Sequence, residues 1–406
     1  MKVLFLTTGR FESIYQHGIY PDLLRTFMNN GHDVYIVSSR EKTENKPTEL
    51  IVEGNSKNLR VRIGNLTQVN LIEKGISTIT IEREYKTAIK KYFSDVKFDL
   101  VMYSTPPITL ASVVSYIKHR DGSRCYLMLK DIFPQNAVDL GMMAKSGVKG
   151  LIYKFFRKKE KQLYELSDNI GCMSQANVDY VIEQNPEIEP TRVEICPNSI
   201  EVVDMRINEE EKKALRIKYD LPLDKKIFLY GGNFGKPQGI DFIIECLNSQ
   251  IENKEAYFLM VGSGTEFGKL KKFFSKNNPN NMKLLERLPK EDYDKMVAAC
   301  DVGMIFLDYR FTIPNFPSRL LPILQAGIPV LCCTDKNTDI GNICSENNFG
   351  WSLKSESANE FNDIIKQILN SNLKEMGIKG YQYLIDNYSV IKSYEAIIKH
   401  NVNGGT

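Results

Sequence analysis

The feature that most constrains this chain is a regular alternation of short apolar, β-branched runs with longer segments of helical periodicity. The first runs cover residues 2–7 and 33–38, and the segment 17–30 between them places apolar side chains at helical spacing. Strands that alternate with helices build an open parallel sheet covered on both faces. The other strands predicted in this half are 99–103, 125–129, 169–173 and 193–196, and the helices lie at about 71–94, 106–119, 147–167 and 174–184.

The same alternation begins again after residue 200. The predicted strands are 226–231, 256–261, 283–285, 301–306 and 329–333, and the helices are 208–219, 239–250, 265–275, 290–299 and 317–326. A chain of 406 residues is long for one domain. We therefore predict two doubly wound α/β domains, residues 1–200 and 201–385, and a C-terminal helix within 386–406 that could cross back to the first. Ligands of such sheets bind beyond the carboxyl ends of the strands, so the expected site is the cleft between the domains.

Composition excludes several other classes of protein. The 53 Lys and Arg residues nearly balance the 50 Asp and Glu residues, which disfavours a dedicated nucleic-acid binder. The eight cysteines form no C-x-x-C pair and the four histidines are scattered, so we expect no structural zinc site. The chain opens on a strand-like run without a signal-peptide pattern, and it has no run of about 18 apolar residues. We expect a cytoplasmic protein with reduced thiols.

Two glycine-containing turns follow predicted strands at places where an anion could bind. The first includes Gly9 and Arg10 and leads through His17 into the first long helix, and the second is 231–236. Glycine lets a backbone approach a phosphate closely, and a helix N-terminus presents unpaired N–H groups. Neither turn fits a P-loop, and neither is a full dinucleotide-binding fingerprint. Taken alone, such a turn is as often structural as ligand-binding.

Two further segments carry polar groups at informative places. Arg319 lies in the first turn of a predicted helix that Pro317 begins, where it could clamp a phosphate or a sugar hydroxyl, or be an ordinary surface arginine. Asp131 follows the strand 125–129 directly. At the carboxyl end of a central strand it could bind an acceptor hydroxyl, or simply form a turn or a helix cap.

Two segments, 145–161 and 83–93, interleave lysine and arginine with aromatic side chains. Such segments suit the anionic surface of a membrane or a lipid diphosphate. Basic helices of soluble proteins are, however, usually solvated faces. Both interpretations stay open from the sequence alone.

These elements, in this order, resemble bacterial glycosyltransferases of family 4, and in particular the branch that builds surface polysaccharides and includes fucosyl- and N-acetylfucosaminyltransferases. The resemblance covers essentially the whole chain. The segments that carry it are Gly31–Val34 (GHxV), Asp131–Pro134 (D-[LI]-[WF]-P), Pro197–Asn198, Tyr230–Gly235 with Gln238–Gly239, Gly262–Gly264 (GxG), Pro317–Arg319 (P-S-K) and Ala326–Val330 (AGxPV).

The resemblance is incomplete at two places. Many family members carry E-x7-E before the AGxPV element, and here Pro314 and Pro322 occupy the matching positions. The usual phosphate-binding Arg and Lys near the second glycine turn are replaced by Asn233 and Gln238. Lys236 or Arg319 could substitute for them.

The resemblance implies a GT-B fold of two Rossmann-like domains and a retaining sugar transfer without a bound metal or other cofactor. The donor would be a UDP- or GDP-sugar and the acceptor a lipid-linked saccharide, in polysaccharide synthesis of the capsule or O-antigen type. The enzyme would be peripheral on the inner face of the cell membrane, held through 145–161 and 83–93. The catalytic residues implied are Asp131, His17 and Arg319. The donor-binding residues implied are Gly9, Arg10, Gly232, Asn233, Gly235, Lys236, Gly262, Gly264, Arg287, Ser318 and Arg319.

Two other functions fit the same layout. One is a nucleotide-sugar 2-epimerase of the GT-B type, which would release an epimer or free sugar and use no acceptor. The other is a non-catalytic scaffold of a polysaccharide-synthesis complex, which the missing glutamates make plausible. The Asp-Ile-Phe-Pro and Pro-Ser-Arg segments favour a transferase, although fold analogy alone does not settle function.

Overall fold

A computed structural model describes residues 1–65 and 71–402, and the chain divides into two compact units. Unit 1 comprises Met1–Glu201 together with the C-terminal segment from Ser389, and unit 2 comprises Val202–Tyr388. Each unit is built around its own sheet. The sequence predicts a change of domain at residue 200 and a returning helix within 386–406.

Unit 1 contains an eight-stranded sheet of order β3-β4-β2-β1-β5-β6-β7-β8. All neighbouring strands are parallel except the antiparallel pair β3–β4. The strands are β1 (Lys2–Leu6), β2 (Asp33–Glu41), β3 (Glu49–Glu53), β4 (Ser56–Ile63), β5 (Leu100–Ser104), β6 (Arg124–Leu129), β7 (Asn169–Cys172) and β8 (Val193–Ile195). The helices are α1 (Ile19–Asn29), α2 (Leu71–Tyr92), α3 (Ala111–Asp121), α4 (Gln135–Asp139), α5 (Gly147–Leu166) and α6 (Gln175–Gln184).

Unit 2 contains a six-stranded, fully parallel sheet of order β11-β10-β9-β12-β13-β14. Its strands are β9 (Lys226–Asn233), β10 (Ala256–Ser263), β11 (Met282–Leu285), β12 (Val302–Phe306), β13 (Val330–Thr334) and β14 (Gly350–Lys354). Its helices are α7 (Glu209–Lys218), α8 (Ile240–Ser249), α9 (Phe267–Asn277), α10 (Lys290–Ala299), α11 (Leu320–Gln325), α12 (Ile340–Glu346), α13 (Ala358–Leu369) and α14 (Leu373–Tyr388).

The last helix, α15 (Val390–Val402), belongs to unit 1 and packs on α1. The Tyr394 ring meets Phe27 edge-on with 4.8 Å between centroids, and Ile397 is completely buried in the same core. The hydroxyl of Ser393 donates to the carbonyl of Pro197 (3.0 Å). The end of the chain is therefore part of the core of unit 1.

The strands that carry the sheets are continuous apolar runs because helices cover both of their faces. Every residue of β12 and β13 is buried, and so are the last four residues of β1. In the core of unit 2, the rings of Phe228 and Phe258 stack with 5.2 Å between their centroids. The predicted fold class, two parallel α/β sheets, is confirmed.

Several predicted elements are wrong or incomplete. The helix expected at 106–119 begins only at Ala111, after Pro106 and Pro107, and the helix expected at 317–326 begins at Leu320. The chain also contains elements that the sequence analysis did not identify: β3, β4 and β14, and the helices α4 and α12 to α14. The pair β3–β4 was overlooked because its exposed edge alternates in burial rather than forming an apolar run.

Candidate functional site

The first candidate site is the carboxyl edge of the unit 2 sheet, where β9 and β10 end side by side. Gly232 pairs with Gly262 in the parallel register of these strands. A Cβ on Gly262 would lie 1.9 Å from the carbonyl oxygen of Gly232, and one on Gly264 would lie 2.3 Å from that of Phe234. Only glycine permits such an approach. The two turns therefore form one surface of backbone, exposed at Gly232, Asn233 and Gly264.

The turn after β9 is held from inside by side chains. The Tyr230 hydroxyl donates to the carbonyl of Asn233 (2.9 Å). The buried Gln238 amide oxygen accepts from the Gly235 N–H (3.1 Å) and from Asn233 Nδ2 (3.3 Å). Gln238 thus positions the turn, and the Asn233 side chain is engaged within it. The residues that replace the usual phosphate-binding cations consequently shape the turn rather than contribute charge.

Arg319 lies directly against this turn. Its guanidinium carbon is 4.7 Å from the centre of the Tyr230 ring, and a Cβ on Gly232 would lie 3.5 Å from the same carbon. Arg319 Nη1 is buried and has no hydrogen-bond partner among the described residues. Burial raises the pKa of Tyr230, and the Arg319 charge opposes that rise. The fold therefore brings Arg319 to the glycine turns as a cation with hydrogen-bonding capacity to spare.

Tyr293 completes this edge and was not identified from the sequence. It lies on α10, and a Cβ on Gly231 would come 2.0 Å from its hydroxyl oxygen. Burial raises the pKa of Tyr293, again against the effect of Arg319. In the sequence, Gly231 indicates that some group packs closely against it, but it does not indicate which residue supplies that group.

The other predicted donor residues of unit 2 lie at the same edge with more exposure. Lys236 is exposed in the turn after β9, and Ser318 is exposed beside Arg319. Arg287 is exposed two residues after β11, the outermost strand on that side. Asp308, which follows β12, is buried, and both of its carboxylate oxygens accept from Arg310 at 2.8 Å. This acidic group is thus neutralised within its own loop.

The second candidate site is the carboxyl edge of the unit 1 sheet at Asp131. The Asp131 carboxylate is half-buried, and Asn136 Nδ2 donates to both of its oxygens (2.8 and 2.9 Å). The Thr105 hydroxyl donates to the Asp131 carbonyl (3.0 Å) and so fixes the loop to the end of β5. Burial raises the pKa of Asp131 to about 6, against the opposing hydrogen bonds. Asn136, which the sequence analysis did not single out, positions this carboxylate.

Lys130 adds a desolvated cation next to Asp131. Its Nζ donates to the carbonyl of Cys196 (3.2 Å), and burial lowers its pKa. Two neighbouring residues of one loop thus have pKa values shifted toward neutrality by burial. Such shifts are common where proton transfer or substrate binding takes place.

The remaining predicted residues of unit 1 belong to other contacts. Gly9 is exposed and its N–H donates to the Thr7 hydroxyl (3.0 Å), while the exposed Arg10 is paired with Glu12 (2.7 Å). His17 is exposed, with Nδ1 3.7 Å from a carboxylate oxygen of Asp22. His17 and Asp131 are therefore held by separate networks.

The group formed by His17, Asp22 and Glu201 has a spacing that a metal ion could use. However, Arg25 Nη2 already donates to Asp22 (2.7 Å) and to Glu201 (2.6 Å). Backbone N–H groups of Gly18 and Glu201 also donate to Asp22. A guanidinium thus occupies the position that the two carboxylates would offer to a cation.

Residues 211–387 match the family model for glycosyl transferases group 1. The chain is 23% identical over 297 residues to the probable glycosyltransferase WbjE of Pseudomonas aeruginosa, covering 73% of this chain and 72% of the relative. It is 25% identical over 252 residues to the putative colanic acid biosynthesis glycosyl transferase WcaI of Escherichia coli strain K12, covering 61% and 60% of the two chains. A putative teichuronic acid biosynthesis glycosyltransferase, TuaC of Bacillus subtilis strain 168, matches at 24% over 155 residues, 37% of this chain and 34% of its own.

Solved structures match almost the whole chain. Sucrose-phosphate synthase from Thermosynechococcus elongatus has a TM-score of 0.77 at 14% identity, covering 99% of this chain and 98% of its own. WaaG, a glycosyltransferase involved in lipopolysaccharide biosynthesis, has a TM-score of 0.67 at 15% identity, covering 99% and 100%. The fold is GT-B, and the family match and the curated relatives support a glycosyltransferase. The resemblance to fucosyltransferases stays a prediction.

Proposed function

We propose that this chain is a retaining, metal-independent glycosyltransferase of surface-polysaccharide synthesis, which moves a sugar from a UDP- or GDP-sugar to a lipid-linked saccharide at the inner face of the cell membrane. The observation that carries the proposal is Arg319, stacked on Tyr230 against two exposed glycine turns. The relatives named for colanic acid and teichuronic acid biosynthesis favour a saccharide acceptor. A UDP donor is the first to test, because the structurally similar HepE of Anabaena is solved in complex with UDP and glucose (TM-score 0.70, 13% identity, covering 99% of each chain).

The donor side of the reaction needs a site for a departing diphosphate. The backbone N–H groups of the turns at Gly232 and Gly262–Gly264, the starts of α8 and α9, and Arg319 together supply dipoles and charge for that anion. Arg319 Nη1, buried without a partner, has a hydrogen bond still to donate. Lys236 and Arg287 add positive charge at the same edge.

The acceptor side of the reaction needs a group that orients a hydroxyl. Asp131 serves this purpose, since a carboxylate with a pKa of about 6 is ionised at neutral pH and accepts a strong hydrogen bond. Asn136 keeps both carboxylate oxygens in place (2.8 and 2.9 Å). As the family resemblance implies, Gly9 and Arg10 are proposed to lie near the donor diphosphate, and His17 near the reacting hydroxyl.

The proposed reaction is a front-face displacement. The bond between the anomeric carbon and the diphosphate oxygen breaks while the acceptor oxygen bonds to the same face of the sugar. The departing phosphate takes the proton of the acceptor hydroxyl, so the chain itself needs no strong base. Asp131 orients the hydroxyl, and Arg319 stabilises the charge that develops on the diphosphate.

The test is a transfer assay with radiolabelled UDP- and GDP-sugars and lipid-linked oligosaccharides extracted from bacterial membranes, run with and without EDTA. We expect a lengthened saccharide whose new linkage keeps the anomeric configuration of the donor, in amounts that EDTA does not change. Inversion of configuration or loss of product with EDTA would contradict the mechanism. Release of an epimer or free sugar without an acceptor would indicate the 2-epimerase, and nucleotide binding without turnover would indicate the scaffold.

A further inference from the structure

The helix α5 has an exposed apolar face that the fold does not cover. Leu151 is 68% exposed, and Ile152 and Phe155 on the same helix are also exposed. Farther along the same helix, Glu160, Leu163 and Tyr164 are buried. Adjacent exposed apolar side chains on one helix mark a surface that interacts with something else.

Lysines lie directly beside this apolar face. Because three or four residues make one helical turn, Lys154 and Lys158 lie on the sector next to Leu151 and Phe155. Neither lysine has an ion-pair partner among the described residues, whereas Lys161 is paired with Glu187 (2.7 Å). A groove lined by Lys154, Arg157 and Lys158, among others, runs along this sector. The face therefore combines apolar contact with positive charge.

The exposed face is connected by ring contacts to the loop of Asp131. The ring of Phe155 lies 5.3 Å from that of Phe156, and the Phe156 ring meets Phe133 edge-on at 5.1 Å. Phe133 is two residues from Asp131 in the chain. Whatever binds the α5 face is thus positioned against the proposed acceptor loop.

We infer that this face, Leu151, Ile152 and Phe155 with Lys154 and Lys158, seats the protein on an anionic lipid surface and presents the lipid-linked acceptor to Asp131. The inference rests on the proposed function. Apolar side chains enter the boundary between headgroups and acyl chains while the lysines pair with lipid phosphates. A second copy of the chain fits the face poorly, because two such faces would bring like charges together.

The inference narrows the membrane contact expected from the sequence. In the segment 83–93, Tyr85 and Phe93 are buried, so it offers cations but not these aromatic side chains. Within 145–161, Lys159 donates to Glu82 (3.1 Å) and is part of an internal ion pair. Among the described residues, no helix is both long enough and apolar enough to cross a bilayer, so contact through these residues would be with the surface.

The test is sedimentation of the full chain with vesicles of equal parts phosphatidylglycerol and phosphatidylcholine, compared with phosphatidylcholine alone. We expect the unaltered chain to bind the anionic vesicles. In Lys154→Glu/Lys158→Glu this binding should fall at least about tenfold, because each lysine near an anionic surface adds to the binding affinity. Leu151→Ser/Phe155→Ser should lose binding as well. The matched controls are Lys272→Glu/Lys276→Glu on α9 and Ile217→Ser on α7, exposed positions of unit 2 that should bind as the unaltered chain does.

Stabilisation by UDP, measured by thermal unfolding of each variant, reports on unit 2 separately and shows that the variants fold. Equal vesicle binding by the α5 variants and their controls, or no binding by the unaltered chain, would overturn the inference even if UDP stabilises the protein. Failure of UDP and GDP to stabilise a chain that still binds vesicles through α5 would reject the proposed function instead. If the α5 variants change the oligomeric state by light scattering and leave vesicle binding intact, the face is a contact between copies and the inference is wrong.

Discussion

The two units place different chemistry on the same part of the same architecture. At the carboxyl edge of unit 2, glycines bring backbone to the surface beside one stacked cation, Arg319. At the carboxyl edge of unit 1, the side chains of Asp131 and Lys130 are shielded from water, and burial moves the pKa of each toward neutrality. A parallel sheet thus provides the location, while the choice between backbone and titratable side chains decides what is bound there. The edge of unit 2 is suited to bind an anion whose charge does not change with pH. The edge of unit 1 is suited to bind a hydroxyl or another group that exchanges protons.

The largest expected effect tests the backbone surface of unit 2. In Gly262→Ala the new Cβ would lie 1.9 Å from the Gly232 carbonyl oxygen, so the two turns must separate. We expect the free energy of unfolding to fall by about 3 kcal/mol and stabilisation by UDP to disappear. The control is Gly268→Ala on α9, where a Cβ meets nothing within 4 Å. In this variant the free energy of unfolding should change by less than about 1 kcal/mol. If UDP still stabilised Gly262→Ala, the glycine turns would not be part of the donor site.

The next effect tests the cation of unit 2. Arg319→Ala should lower turnover by roughly 100-fold, because it removes the preorganised donor that we propose stabilises the leaving diphosphate. Arg206→Ala is the matched control, since Arg206 also stacks on a tyrosine, with its guanidinium carbon 4.1 Å from the centre of the Tyr381 ring, but is paired with Asp204. Steady-state assays at a saturating concentration of donor measure the turnover of both variants. Equal turnover in the two variants would mean that Arg319 only supports Tyr230.

A smaller effect, with opposite signs for activity and stability, tests unit 1. Asp131→Asn should lower turnover by about tenfold or more, since it removes the carboxylate that we propose orients the acceptor. The same variant should gain about 1–2 kcal/mol of unfolding free energy at neutral pH, because a half-buried charge is removed. Turnover and thermal unfolding are measured on the same preparation. A variant that loses stability without losing turnover would show that Asp131 is structural.

The pH dependence separates the two edges further. The pKa of Asp131 in the folded protein is about 6, above its ordinary value of 3.8. Its protonated form therefore stabilises the fold at low pH, and that stabilisation is lost as the pH rises through about 6. We expect turnover to fall as the pH drops below about 6. Affinity for a UDP-sugar should stay constant over the same range, because its diphosphate is a diester that does not titrate there. In Asp131→Asn this fall of turnover should be absent, and its persistence would assign the titration to another group.

The smallest expected effect is that of a chelator. Turnover should change by less than about twofold in EDTA if, as proposed, fixed dipoles and cations take the place of a Lewis acid at the diphosphate. Among the residues that the structure describes, His17, Asp22 and Glu201 form the group whose spacing could suit a metal ion, and Arg25 already pairs with both carboxylates there. Loss of activity in EDTA, restored by zinc or magnesium, would contradict the proposed metal independence.

The sequence predicts five of the six strands of unit 2 and its glycine turns, for a physical reason, but not the edge strand β14. Strands buried on both faces must be apolar throughout, and turns that touch must be glycine, so β9, β10 and Gly262 leave direct traces in the sequence. The pair β3–β4 leaves a weaker trace, because no residue of the edge strand β3 is fully buried and partly exposed residues interrupt the buried ones of β4.

Pairings between distant residues could not be predicted. Tyr293 covers Gly231, and Arg319 stacks on Tyr230, only because α10 and the residue before α11 lie beside the end of β9. The engagement of Asn136 with Asp131 depends on the exact turn into α4. The sequence thus indicates which residue types form the site, whereas the contacts between them can be identified only from the folded structure.

The most direct test of the account is a crystal structure of the full chain with UDP. It should place the diphosphate against the turns at Gly232 and Gly262, with an oxygen within hydrogen-bonding distance of Arg319 Nη1 and no metal ion between them. A nucleotide bound elsewhere, or a diphosphate held through a divalent cation, would contradict the claim that glycine backbone and Arg319 form the donor site.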